Sequence, residues 1–179
     1  MKYCFLIITF LYQFSRLAQV SKIDSLSKKI SDLEKHSTAS LRDSFLVKTY
    51  HHLSLAYYHN SDLIKSQIEA KKKLSLSEKT CWDKGQIVSY QDISYSNFKL
   101  GKLKSCLQLN YKALTLAEKN GLIPEKLSCL RMIANVYDAL NQKDSSIVFY
   151  KRLIPIYQKL NMESKSRITE WQLRTKKYR

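Results

Sequence analysis

Asn60-Ser61-Asp62-Leu63, Leu100-Gly101-Lys102-Leu103 and Leu140-Asn141-Gln142-Lys143 are three short polar stretches spaced forty residues apart. Each separates two segments whose apolar residues recur at helical spacing, so each reads as the turn of a helical hairpin. A forty-residue self-similarity of this kind is the signature of a repeat array, in which one hairpin cannot cover its own apolar stripe and stacked hairpins share a continuous core.

The register extends outward from these turns. Before them, Tyr50, Tyr90 and Leu130 align, followed at equal offsets by Leu53, Ile93 and Ile133 and then by the small residues Ser54, Ser94 and Ala134. Spacings of three and four place these positions on one helical face. After the turns, Leu63, Leu103 and Lys143 align, then Ser66, Cys106 and Ser146, then Ala70, Asn110 and Tyr150, then Leu74, Leu114 and Ile154. Small residues one turn beyond the loop allow a close helix crossing, and large ones fill the groove between neighbours. The resulting map predicts helices over 22–36, 43–59, 62–77, 83–99, 103–119, 125–139, 143–160 and 165–177. Pro155 is expected to kink or shorten the penultimate helix by removing a backbone donor.

Composition agrees with helices joined by short turns. The 179 residues are 44% apolar, with only three Gly and two Pro, residues that disfavour helix interiors by about 1 and about 3 kcal/mol. At the start, Lys2 precedes the apolar run Tyr3-Cys4-Phe5-Leu6-Ile7-Ile8-Thr9-Phe10-Leu11-Tyr12. The run has the length of a signal-peptide core and falls short of the roughly 20 residues that cross a bilayer. Cleavage after Ala18 would make Gln19 the new terminus, although Arg16 suits that site poorly; a retained anchor and a buried first helix are the alternatives. Residues 1–18 are thus assigned to a signal peptide and 19–179 to the repeat domain, with an exported, periplasmic or cell-envelope location expected.

The formal charge is +16, and losing Lys2 and Arg16 leaves it near +14. The cations are dispersed, as in Lys71-Lys72-Lys73 and Lys99, Lys102 and Lys104, which reads as a solvated lysine-rich face with weak attraction to anionic membrane or cell-wall surfaces. No reading module or stacking platform accompanies the charge, so no specific nucleic-acid partner is expected. Cys81, Cys106 and Cys129 have no metal-ligand spacing. Cys106 and Cys129 read as buried thiols, with a bridge between them as the alternative. His51 and His52 are consecutive and His59 lies seven beyond His52, too few ligands for a structural zinc site. No phosphate loop, nucleophile elbow or paired catalytic carboxylates occur, so no catalytic residue, cofactor or metal is assigned and the chain is read as a non-enzyme.

The aligned residues carry a resemblance. Tyr50, Leu53, Ser54, Tyr57 and Ser66, then Tyr90, Ile93, Ser94, Gly101 and Cys106, then Leu130, Ile133, Ala134, Tyr137 and Ser146 resemble the tetratricopeptide repeat over residues 22–160. The resemblance implies an all-α fold, a right-handed superhelical array of antiparallel helical hairpins. Its repeats would be 43–82, 83–122 and 123–162, flanked by an N-terminal packing helix in 22–42 and a C-terminal capping helix in 163–179.

Two departures stand out. Asn97 occupies the place of Tyr57 and Tyr137, and the period exceeds the usual thirty-four. The extra length is expected in the linkers 77–82 and 119–124, where Gly121 can end one helix in the left-handed region and Pro124 open the next. Ile23, Leu26, Ile30 and Leu33 match inward positions of a second helix, whereas Glu170 and Arg174 break the core pattern beside Ile168, Trp171 and Tyr178.

In this family the first helix of each pair lines a concave groove that binds proteins or peptides. The matching outward positions are Lys48, His51, Leu55, Tyr58 and His59, then Gln91, Tyr95, Phe98 and Lys99, then Arg131, Asn135 and Asp138. Tyr58, Tyr95 and Phe98 would be anchors, with Arg131 and Lys99 receiving an acidic peptide or carboxylate. Removing Tyr95 and Phe98 together is expected to abolish capture while preserving helicity. The variant linkers also resemble exported regions of bacterial sensor and regulatory proteins, which makes a sensory input region the alternative function.

Overall fold

The computed structural model describes residues 19–35 and 39–177. All regular structure among them is helical: α1 (19–35), α2 (Ala39–His59), α3 (Leu63–Lys79), α4 (Asp83–Lys99), α5 (Leu103–Lys119), α6 (Ile123–Ala139), α7 (Lys143–Lys159) and α8 (Glu163–Lys177). They form two compact units, one ending at Cys81 and the other beginning at Trp82. No helix among the described residues is long and apolar enough to cross a membrane. The segment assigned to a signal peptide and Tyr178 lie outside the described residues.

The helices start at 63, 83, 103, 123, 143 and 163, and α3 to α7 each contain 17 residues. The elementary unit is therefore a helix and a three-residue turn, twenty residues in all, and the forty-residue repeat is two of them. This corrects the expectation of long linkers at 77–82 and 119–124. There the chain stays helical to Lys79 and to Lys119, and the extra length over an ordinary repeat lies in the helices.

One turn geometry serves within and between the pairs. The middle residue has positive φ at Ser61, Cys81, Gly101, Gly121, Asn141 and Asn161. At Gly101 its N–H donates to the Phe98 carbonyl at 3.1 Å, and the next N–H, of Lys102, reaches back to Asn97 at 2.9 Å. The same backward bond recurs from Asp62 to Tyr57, Leu122 to Ala117, Gln142 to Tyr137 and Met162 to Tyr157. It occupies carbonyls that a helix end otherwise leaves unpaired.

Left-handed backbone disfavours a side chain. Gly101→Ala should therefore lower the stability of its unit by about 1 kcal/mol. Strain alone would act, because an added Cβ meets no atom within 4 Å. Cys81→Gly, at φ 51, should change stability in the favourable direction. Urea unfolding of the two variants beside the parent measures both.

In the first unit, Ile23 and Ile30 of α1 are buried with Leu46, Tyr50, Leu53 and Ala56 of α2, and Leu26, Leu33 and Leu76 flank them. The Tyr50 hydroxyl donates to Glu34 at 2.9 Å, tying α2 to α1. Lys73 departs from the solvated lysine face expected of 71–73. It is 1% exposed, because it stands forty residues before Ala113 and eighty before Leu153, both buried. Its stem fills an inward position while its Nζ lies 3.2 Å from Nδ1 of His51.

In the second unit each helix packs on the next, and α4 also touches α6. Ile87, Leu114, Leu130, Ile133, Phe149, Tyr150, Leu153 and Tyr157 form the main core. A second cluster holds Cys106, Met132 and Val136. Burying each large aliphatic contributes about 1.5–3 kcal/mol. Pro124 opens α6 as expected. Pro155 does not shorten α7, which runs its full 17 residues with the proline exposed on the solvent side. On α8, Ser166 and Thr169 are buried and Leu173 half-buried, whereas Ile168 and Trp171 are 58% and 65% exposed.

Candidate functional site: a cleft between α6 and α8

The two gaps between first helices in this unit differ, and residues of the second helices explain why. Beneath the gap between α4 and α6 lie Asn110, Ala113 and Ala117 of α5; at the same offsets in α7 lie Tyr150, Leu153 and Tyr157. All six are buried.

Over the small floor, α4 and α6 close together. The Gln91 amide donates to the Glu125 carbonyl at 3.2 Å and to Cys129 Sγ at 3.2 Å. Tyr95 and Ser128 share a hydroxyl hydrogen bond at 3.1 Å, and Lys84 pairs with Glu125 at 3.2 Å. Over the bulky floor the walls stand apart, since side chains of this volume cannot be compressed. Among the described residues, none of Leu127, Ser128, Arg131 and Asn135 on α6 makes a side-chain hydrogen bond or ion pair to α8.

The resulting cleft has a volume of about 460 Å³. Leu127, Ser128, Arg131 and Asn135 form the α6 wall, and Lys165, Ile168, Thr169 and Gln172 form the α8 wall. Leu160 and Met162, in the turn between α7 and α8, also line it. The Tyr150 hydroxyl shares its proton between Asn135 Oδ1 at 2.6 Å and Asp138 Oδ2 at 3.1 Å. Burial raises the pKa of this phenol and Asp138 raises it further, while Arg131 opposes both; at Tyr157 burial raises and Arg131 again opposes. Arg131 and both floor tyrosines line the same cleft.

The sequence-assigned groove residues are distributed unevenly. In the first unit, Lys48 and His59 are exposed, and His51, Leu55 and Tyr58 half-buried. The His51 and His52 rings sit 5.7 Å apart and those of Tyr58 and His59 5.7 Å apart. The His52 pKa is lowered, first by burial and then by electrostatic interaction with His51, Lys22, Lys29 and Lys73. Among the described residues no group of three His, Cys, Asp or Glu could hold a metal.

In the second unit Gln91 is buried, with its amide used in the contact between α4 and α6. Phe98 packs with Tyr95 against the Cys106, Met132 and Val136 cluster. Truncating both would strip core packing, so that pair does not test binding separately from folding. Lys99 is exposed and does not line the cleft, whereas Arg131 and Asn135 do, and Asp138 helps orient Tyr150. Sequence reasoning missed Tyr150, Leu153, Tyr157, Lys165, Ile168 and Gln172. The available signal was the jump in size from Asn110, Ala113 and Ala117 to their counterparts forty residues on.

Cys106 and Cys129 are free and buried, and Cys81 is free and exposed. Burial pushes the Cys106 thiol up, against hydrogen bonds from Ser94 and Asn110, and pushes Cys129 up to about 11. Because the thiolate is the reactive form, iodoacetamide at about pH 7.5 should alkylate Cys81 at least about 100-fold faster than either buried thiol. Site-resolved mass spectrometry checks this, and comparable rates would contradict the buried placement.

No family model matches this sequence, and no curated protein matches it. Solved structures match in fold. The crystal structure of BtubC from P. vanneervenii is similar over 90% of this chain, with TM-score 0.76 and 15% identity; the match spans 66% of that protein's length. A putative kinesin light chain from Podosopora anserina with nearly identical TPR-like repeats matches 92% of this chain and 92% of its own, with TM-score 0.61 and 13% identity. A point-substituted form of the same protein gives TM-score 0.62 at 13% identity, covering 92% of this chain and 91% of that one. With the consecutive packing of its helices, this places the chain in an all-α, TPR-like helical repeat fold.

Proposed function

We propose that this protein is a non-enzymatic binding module that holds a segment of another protein in the cleft between α6 and α8. The observation that carries the reading is the open gap over Tyr150, Leu153 and Tyr157, with the exposed Ile168 on its wall. A concave, mostly apolar gap with a few polar groups is the form such sites take. The TPR-like fold supports a binding role over catalysis, and the neighbouring gap is bridged by Gln91 and Tyr95.

We extend the proposal to a cell-envelope location, on the strength of the apolar run Tyr3 to Tyr12, and, as the alternative, to service as the input region of a larger regulator, on the strength of helices longer than those of an ordinary repeat. A native terminus at Gln19, read by mass spectrometry of fractionated cells, would support export; a retained Met1 in the cytosol would count against it.

The binding reading is tested by placing a photo-crosslinking amino acid at Ile168 in the full chain and, as a control, at Lys112 on α5. Saturable crosslinking of a discrete partner from Ile168, competed by excess unlabelled protein, is the expected result. Equal labelling from the two positions would overturn it.

A further inference from the structure

We infer that the outward face of α8 is the contact surface for a second copy of this chain, two α8 helices lying antiparallel with the Trp171 indole of each packed over Ser164 and Ile168 of the other. This goes beyond the binding reading and does not depend on what the cleft holds.

Trp171 and Ile168, at 65% and 58% exposure, are the two most exposed large apolar residues among the described residues, and they stand one turn apart on one helix. With Ser164 and Arg167 they line a shallow depression of about 390 Å³. Both apolar positions break the register, since forty residues earlier stand Ser128 and Arg131. The opposite exchange occurs beside them: Leu127, Leu130 and Ala134 of α6 are buried, and their counterparts are Arg167, Glu170 and Arg174. α8 therefore lacks the inward apolar set of α6 and presents instead an apolar spot bordered by charge, which is the form of an intermolecular contact.

The order of those charges selects the partner. Glu163, Arg167, Glu170 and Arg174 alternate in sign along one edge of α8, three or four residues apart. The series is complementary to its own reverse. With two helices antiparallel and centred between Ile168 and Thr169, Glu163 meets Arg174 and Arg167 meets Glu170 of the second copy, each twice by symmetry. The same centring carries Trp171 to the level of Ser166 on the other chain, between its Ser164 and Ile168. A parallel pair would set each charge against its like. Among the described residues none of the four makes an ion pair, and Glu170 accepts from the Ser166 hydroxyl at 3.1 Å.

The overall charge of +16 opposes association at long range, but physiological salt screens it beyond about 8 Å, whereas the paired charges meet in contact. One helix pair buries less than the roughly 1,200 Å² of stable complexes, so the dimer is expected to be weak and concentration-dependent.

The test is sedimentation equilibrium of the full chain between about 5 and about 500 μM at about 150 mM salt. The parent is expected to pass from monomer to dimer over this range. Trp171→Ala should weaken dimerisation at least tenfold, and Val148→Ala, a similarly exposed change on α7, should leave it unchanged. Glu163→Arg and Arg174→Glu should each weaken it at least threefold, because each new charge meets its like. An equimolar mixture of those two variants should associate as the parent does, since the substituted positions face each other and a folding defect in one chain is not repaired by the other.

A parent that stays monomeric at the highest concentration would overturn the inference and leave this face to another segment of the chain or to a different protein. Dimerisation indifferent to Trp171→Ala would place the contact elsewhere, and a mixture no stronger than its components would refute the antiparallel pairing; either result sinks the inference while leaving the cleft reading in place.

Discussion

Ile133→Ala is expected to destabilise the unit beginning at Trp82 by about 3 kcal/mol, within the roughly 2–5 kcal/mol range of such truncations. Ile133 is fully buried in the core that includes Leu130, Leu114 and Leu153, and its neighbours are held by α5 and α7 on either side. Helices fixed from both sides relax little into a cavity, so lost contact and residual void both contribute. The same truncation at Ile168, 58% exposed on α8, should change stability by about 0.5 kcal/mol or less. Urea unfolding followed by helical circular dichroism compares the two. Equal effects would mean that Ile133 does not face the shared core.

The second large effect belongs to the small residues at the helix crossings. Ser94 is fully buried, its hydroxyl 2.9 Å from Cys106 Sγ and bonded by the Asn110 amide. Asn110 also donates to the Cys106 carbonyl at 2.8 Å. Ser54 repeats the arrangement forty residues earlier, donating to the Ser66 carbonyl at 2.9 Å. Ser94→Leu would drive a branched four-carbon side chain into the contact between α4 and α5 and leave the amide with one fewer acceptor. The expected loss is about 3 kcal/mol or more, combining overpacking with an impaired buried polar group. Ser94→Ala, which removes the hydrogen bonds and keeps the close approach, should lose about 1 kcal/mol. A leucine variant as stable as the alanine one would show that the crossing is loose.

The contrast between these positions shows what was legible in the sequence. The inward set Leu130, Ile133 and Ala134 could be read from spacing alone because each belongs to one helix and repeats at a fixed offset. The turn at Gly121 and the helix start at Pro124 were equally local, since they express backbone preferences of those residues. The turns at Cys81 and Gly121 were misjudged as the centres of longer linkers. Glu78, Lys79, Glu118 and Lys119 are polar and exposed, so a hydrophobic pattern cannot distinguish a solvent-facing last turn of helix from a loop.

The site was less legible for a different reason. Whether an outward residue of a first helix meets solvent or the next first helix depends on how far apart those helices stand. That separation is set by a third helix. Gln91 and Tyr95 are drawn into the contact with α6 because Asn110, Ala113 and Ala117 are small or slender, whereas Arg131 stays open because Tyr150, Leu153 and Tyr157 are large. Lys73 shows the same dependence in the first unit: by type it belongs outside, and by register it lies inside. Residue type marked candidate contacts, but residues on a neighbouring helix decided which of them line an opening.

The most direct measurement is methyl-resolved NMR of the full chain in the presence of a soluble paramagnetic agent, which broadens methyl signals according to their access to solvent. Ile87, Leu130, Ile133 and Leu153 are expected to retain sharp signals, whereas Ile168 and Val148, 58% and 55% exposed, should be strongly broadened. Broadening of Leu130, Ile133 and Leu153 to the level of Ile168 would contradict the account, because helices with those residues in water would share no core and leave no propped cleft between α6 and α8.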